Sequence, residues 1–133
     1  MIIGIGTDIL STKRIQNLVD KYGNTFLERW FSPEEIRYCQ GKNNPSIHFA
    51  ARMAAKEAVA KSIMIDGKNG IPWKLISVVR DEDGKPSALL SGWLRESAEK
   101  KGVKKISLSI SHCEEYATAT ALAEGSMAAA AEF

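Results

Sequence analysis

A chain of 133 residues makes one domain, able to bury roughly two thirds of its unfolded surface and so to fold without disulfide or metal staples. A formal net charge of +2 argues against a dedicated nucleic-acid binder, although a local basic patch is still able to hold a polyphosphate. No apolar run reaches membrane-spanning length, the start Met1-Ile2-Ile3-Gly4 is unlike a signal peptide, and Cys39 and Cys113 are too few and too far apart for a disulfide framework or a zinc site. A cytoplasmic protein with two free thiols is therefore expected.

In chain order, residues 2–7 read as a buried strand, and Gly4 and Gly6 mark a place where another backbone comes close. Asp8 falls where that strand is expected to end. Ser11 is the expected N-cap of a helix that turns Ile15, Leu18, Val19 and Tyr22 to the core, stops at Gly23, and leaves Arg14 and Lys21 on its exposed side. Asn24 is expected to cap a short aromatic turn through Phe26 and Trp30. Ser32-Pro33-Glu34-Glu35 is a capping box with proline at the first helical position, opening a helix that ends near Gly41.

Pro45 opens a long alanine-rich helix that runs to about Ile63. Alanine favours the helix and lets neighbouring backbones approach, so this element is expected at the centre of the fold. Asp66-Gly67 and Asn69-Gly70 signal turns before a strand at 75–80. Asp83-Gly84 then reads as a hairpin turn leading into 87–90. Residues 91–101 read as a helix stopped by Gly102. Ile106, Leu108 and Ile110 alternate with Ser107, Ser109 and Ser111, the period of a half-buried strand, and 116–123 is its hairpin partner. The order β-α-α-α-β-β-α-β-β predicts an α+β domain over residues 1–124, its largely antiparallel sheet packed on the long helix. The tail, 125–133, is expected to be disordered, and its Gly-Ser and Glu-Phe dipeptides resemble translated cloning sites.

Glu57 and Lys61 stand four apart in the long helix and so share one face. By themselves they are a surface pair worth roughly 0.3–0.5 kcal/mol. Joined by Asp8 they become two carboxylates and an ammonium, a set that holds a divalent metal and a phosphate together. Spacing alone leaves both readings open. Gly4-Ile5-Gly6 lacks the third glycine and the following helix of a dinucleotide fingerprint, which removes a Rossmann reading.

Five motifs occur in register: Gly4-Ile5-Gly6-Thr7-Asp8-Ile9, Phe31-Ser32-Pro33-Glu34-Glu35, Phe49 to Ala58 with Lys61, Gly84-Lys85-Pro86, and Ser109-Ile110-Ser111-His112. Together, over residues 2 to about 123, they resemble the holo-acyl-carrier-protein synthases, small bacterial-type 4'-phosphopantetheinyl transferases. The resemblance implies transfer of the phosphopantetheine arm of coenzyme A to a serine of an apo acyl carrier protein, releasing adenosine 3',5'-bisphosphate. It implies that Asp8 and Glu57 are catalytic and hold Mg2+, and that Lys61 faces the pyrophosphate and stabilises the leaving group. Arg52, Lys85, Pro86, Ser109 and His112 would line coenzyme A, and Arg14 with Lys21 would meet the acidic carrier. A homotrimer with sites between adjacent subunits is also implied, with no covalent nucleophile from the protein. The serine proton passes either to Glu57 or to a metal-bound water, and the sequence leaves both open. One departure stands out: relatives continue from the helical lysine into a Gly-Thr-Gly type turn, whereas here Ser62-Ile63-Met64-Ile65-Asp66-Gly67-Lys68-Asn69-Gly70 intervenes. Two rival classes remain, another Mg2+-dependent phosphoryl-transfer enzyme acting on a nucleotide and a non-catalytic binding domain of the same fold.

Overall fold

A computed structural model describes residues 1–65 and 70–126. Strand β1 (Ile2–Ser11) leads into four helices, α1 (Thr12–Tyr22), α2 (Asn24–Trp30), α3 (Pro33–Gln40) and α4 (Pro45–Ser62). A 3-10 turn (Trp73–Leu75) precedes the hairpin β2 (Ile76–Arg80) and β3 (Pro86–Leu90), then α5 (Gly92–Lys100) and the closing hairpin β4 (Val103–His112) and β5 (Tyr116–Gly125). All neighbouring strands are antiparallel, in the order β1-β5-β4-β3-β2, so the two ends of the chain pair with each other. This is the α+β architecture that the order of elements predicts.

Alternation decides which face of the sheet is covered. Ala119, Ala121 and Ala123 of β5 and Ile106 and Leu108 of β4 are buried against α4, where they meet Ala54, Ala55, Ala58 and Val59. Small side chains on both sides let the helix lie close to the sheet. The closest approach is at β1. A Cβ on Gly4 would overlap the Ser62 carbonyl, and one on Gly6 would overlap the Ala58 carbonyl and the Lys61 side chain. Those two glycines thus bring the last turns of α4 against the strand that carries Asp8. A second cluster, built on Ile15, Leu27, Phe31, Cys39, Phe49 and Met53, ties α1, α2 and α3 to the first half of α4.

Several local expectations change. β1 does not stop at Thr7: its pairing with β5 continues to Ser11 opposite Tyr116, so Asp8 sits within the strand opposite Ala119. A partner strand of ten residues extends what the short apolar run suggested. Gly23, with φ of 55°, joins α1 to α2 and occupies the N-cap position expected of Asn24, and no side chain caps α2. The aromatic turn is a helix in its own right. Tyr22 is exposed at the end of α1 and does not join the core. By contrast, Ser11 accepts from the Arg14 amide as N-cap, and the Ser32–Glu35 box closes in both directions. Cys39 is buried and Cys113 exposed, both free. Burial pushes the Cys39 thiol up to about 11, so it is inert at neutral pH. The Asp66-Gly67 turn, Lys68, Asn69 and the tail beyond Ser126 lie outside the described residues.

Candidate active site

The close contact of β1 with α4 sets Asp8 beside the helix face carrying Glu57 and Lys61. Lys61 Nζ lies 3.3 Å from Asp8 Oδ1 and donates to the Thr7 carbonyl at 2.9 Å. The ammonium is thus paired with β1 and not with Glu57. Its side chain stays 57% exposed while that of Asp8 is 14% exposed, so the cation faces solvent over a sheltered carboxylate. Burial and the neighbouring Asp8 carboxyl raise the Glu57 carboxyl to about 8, against the pull of Lys61 and Arg14. Asp8 Oδ2 is buried with no hydrogen-bond partner. Two carboxyls held this close are relieved either by a shared proton or by a cation.

That arrangement fits a divalent ion. Among the described residues no three His, Cys, Asp or Glu side chains converge, so Asp8 and Glu57 would offer an ion two carboxylates and not a full cage. Mg2+ is bound in that way, by one or two carboxylates with waters and substrate phosphates completing the shell.

Arg52 and Lys61 are nine residues apart, two and a half turns at ~3.6 residues per turn, and so project from opposite sides of α4. Arg52 accordingly lies on the side of α4 away from Asp8, whereas Ser109 faces Thr120, itself the partner of Thr7. Arg52 is not a solvated surface residue: it is buried, its guanidinium lies 4.0 Å from the centroid of the Tyr38 ring, and its Nε has no partner. With Arg80, Tyr38 and Ser77 it lines a cleft of about 320 Å³. Arg80 pairs with Pro86 across the β2–β3 hairpin, and its side chain donates to the Gly84 carbonyl at 2.8 Å, while the Lys85 amide donates to Asp81 at 2.8 Å. Since Ser87 pairs with Ser107 in antiparallel register, the Lys85–Pro86 end of β3 lies toward the Ser109–His112 end of β4. Ser109 is exposed opposite Thr120, and His112 is exposed at the strand end. Arg14 and Lys21 are both exposed on α1, and Arg14 acts on Glu57 electrostatically while Lys21 lies over Tyr22.

Sequence reading missed Tyr38, His48, Arg80 and Lys101. Arg80 directly follows the β2 apolar run and His48 precedes Arg52 by one helical turn, which are the signals that point to them. Lys101 donates to the carbonyls of Ile63 and Met64 at 2.7 and 3.1 Å, holding the turn that ends α4. Met64 there has φ of 53°, the left-handed conformation that a glycine adopts freely, which is how the chain makes this turn without the glycine. A larger cleft, about 500 Å³ between β3, β4 and α5, is lined by Arg95, Lys104 and Ile106 and holds none of the motif residues. Volume is therefore not what marks the site.

A family profile described as the 4'-phosphopantetheinyl transferase superfamily matches residues 4–121. The chain belongs to that superfamily. It is 40% identical over 124 residues to the holo-[acyl-carrier-protein] synthase of Koribacter versatilis, covering 93% of this chain and 99% of the relative. It is similar to the crystal structure of the Neisseria meningitidis holo-[acyl-carrier-protein] synthase, with TM-score 0.83, 38% identity, and coverage of 93% and 99% of the two chains. The Helicobacter pylori synthase, solved in complex with coenzyme A, superposes with TM-score 0.79 at 30% identity over 90% of this chain and 99% of that one. Among phosphopantetheinyl transferases, then, both halves of the site described above lie inside the matched region.

Proposed function

We propose that the protein is a holo-acyl-carrier-protein synthase, moving the 4'-phosphopantetheine arm of coenzyme A to a serine of an apo acyl carrier protein. The observation that carries this reading is the Asp8–Glu57–Lys61 group, two mutually repelling carboxyls beneath an exposed ammonium, in a chain of this superfamily. The serine oxygen attacks the phosphorus that bears pantetheine, and the bond to the bridging oxygen breaks, releasing adenosine 3',5'-bisphosphate. Asp8 and Glu57 would hold Mg2+, which when bound neutralises charge on the transferred and departing phosphates. Lys61, anchored to Thr7 and Asp8, presents its positive charge where negative charge grows on the leaving phosphate. Arg52, with an unpartnered buried Nε, and His112 receive a second anionic part of coenzyme A, and Lys85, Pro86 and Ser109 lie at the same end of the sheet.

Lys61 and Arg52 point away from each other across α4, which supports a site assembled from neighbouring subunits. The sheet face opposite α4 carries no helix among the described residues, and Ile5 and Ile9 on it are 67% and 64% exposed. A second and third copy of this chain would cover that face as a homotrimer, readable as three chain masses in sedimentation equilibrium. Arg14 and Lys21 form the rim that meets the acidic carrier. No helix is long and apolar enough to cross a membrane among the described residues, in keeping with a cytoplasmic setting.

Mass spectrometry of an apo acyl carrier protein incubated with the enzyme, coenzyme A and Mg2+ tests the reaction. A mass gain equal to the phosphopantetheine arm is expected, lost with Asp8→Asn or Glu57→Gln. An unchanged carrier with the wild-type protein would overturn the assignment.

A further inference from the structure

Lys61 stands in the last turn of α4, and the end of that turn is built from groups that the transfer chemistry does not use. A helix C-terminus leaves its final carbonyls without partners inside the helix, and a cation placed there is favourable. Here the cation comes from a different element. Lys101, just beyond α5, donates from Nζ to the Ile63 carbonyl at 2.7 Å and to the Met64 carbonyl at 3.1 Å. Its own backbone is fixed, since the Lys101 amide donates to the Ala98 carbonyl at 3.0 Å, and the next residue, Gly102, accepts from the Ser126 amide at 3.1 Å. The ammonium therefore reaches α4 from a rigid base. Met64 is the residue that needs holding. Its φ of 53° crowds Cβ against the following carbonyl, and its side chain is 62% exposed, so little burial offsets that crowding. Yet the turn is closed around Lys61: the Met64 amide donates to the Lys61 carbonyl at 3.2 Å, and the Ile65 amide donates to the Ala60 carbonyl at 3.2 Å. Ser62, the residue between, has its carbonyl pressed against Gly4 of β1.

We propose that Lys101 is a positioning residue for the transfer: its two bonds hold the strained turn at Met64 closed, and that turn fixes the backbone from which Lys61 reaches Asp8 and the leaving phosphate. Hydrogen bonds from a charged donor are stronger than neutral ones, so two of them oppose the tendency of Met64 to relax to negative φ. Relaxation would open the bond from the Met64 amide to the Lys61 carbonyl. Lys61 would then keep its charge and lose its aim, and a small misplacement of a group that acts in the transition state costs rate more than binding. A glycine at position 64 adopts the same φ without crowding and so needs no clamp. The role of Lys61 rests on the transfer reading above, whereas the coupling of Lys101 to Met64 does not.

Two double-mutant cycles test this, each read by carrier modification with coenzyme A and Mg2+ and by melting temperature. Lys101→Met should lower kcat by about tenfold and change the KM for coenzyme A by less than about twofold. Lys101→Arg, which still donates from a cation, should recover most of the lost rate. In the first cycle Met64→Gly keeps near wild-type turnover, and adding Lys101→Met to it should cost less than about twofold in kcat and less in melting temperature than Lys101→Met costs alone. In the second, Lys101→Met added to Lys61→Met should lower kcat no further, because the residue it positions is gone. A lysine that merely stabilised the fold would leave the kcat of folded molecules unchanged and would lower the melting temperature equally with methionine or glycine at position 64. Either result, or a full further loss of rate on top of Lys61→Met, would overturn the proposal. The melting cycle needs no substrate, so the two readings are judged apart. A wild-type protein that leaves the carrier unmodified strikes the transfer reading and the positioning role with it, while the clamp stands or falls on melting; transfer with no coupling between Lys101 and Met64 strikes the clamp alone.

Discussion

Two lysines five residues apart on α4 each bind a carboxylate, and the molecule uses them in opposite ways. Lys56 is fully buried, and its Nζ donates to Glu35 at 2.8 Å and to the carbonyls of Trp30 at 2.8 Å and Trp73 at 3.1 Å, all three protons satisfied. It joins the end of α2, the start of α3 and the 3-10 turn before β2, beside the stacked rings of Trp30 and Trp73. Burial pushes its ammonium below the usual range while Glu35 pulls it back. Lys61 is exposed and holds one carboxylate of a crowded pair and one carbonyl. The same pair of functional groups is a scaffold where every hydrogen bond is internal, and a candidate site where the bonding is left incomplete.

That contrast is broken most sharply by removing each ammonium in turn. Lys56→Met leaves the Glu35 carboxylate buried and unpaired and should lower stability by roughly 3–5 kcal/mol in urea denaturation, with turnover of the molecules that remain folded nearly intact. Stability unchanged by Lys56→Met would make the buried pair ornamental.

Lys61→Met should do the reverse. Loss of a charge that acts mainly in the transition state lowers kcat on the order of 10²-fold, changes the KM for coenzyme A little, and alters stability by under about 0.5 kcal/mol. An intact kcat with weakened coenzyme A binding would make Lys61 a phosphate anchor.

The Glu57 carboxyl sharpens the comparison through pH. Its value of about 8, against 4.5 in an ordinary chain, means that the folded state binds the proton more tightly than the unfolded state. Stability from this group is therefore complete below about 4.5, declines as pH rises toward about 8 and is lost above it. In chelator-treated protein the melting temperature should fall across that window, and the fall should flatten in Glu57→Gln. An identical fall in wild type and Glu57→Gln would assign it to another group.

The smallest effect is expected on α1. Arg14→Glu with Lys21→Glu should raise the KM for the carrier several-fold and flatten its salt dependence, because rim charges act mainly on encounter and are screened. Since Arg14 also lies in the field of Glu57, Lys21→Glu alone should change carrier KM without changing kcat. Carrier kinetics identical to wild type at low ionic strength would take α1 out of the interface.

Elements with strong local chemistry were legible from the chain itself. The Ser11 cap, the Ser32–Glu35 box, the alanine-rich helix from Pro45 and the alternating serines of β4 each carry their own signal within a few residues, and each appears in the structure. The close approach foreseen at Gly4 and Gly6 is present too. Asp8, Glu57 and Lys61 could be nominated only because they fell in motifs of a known family, since nothing in one-dimensional spacing relates position 8 to position 57. The bounds of β1 were missed because a strand extends as far as its partner allows, and β5 lies more than a hundred residues away.

The sequence by itself determined α1, α3, α4 and α5, the hairpins, the central place of the long helix, and the family, because caps, turns and hydrophobic period act over a few neighbouring residues. Tertiary structure alone decided what each charged side chain does. Glu57 and Lys61 share a face by spacing, yet Lys61 binds Asp8. Arg52 and Lys56 share another by the same spacing, yet both are buried. Burial and the position of distant partners set the worth of a charge, and neither is encoded within one turn of helix.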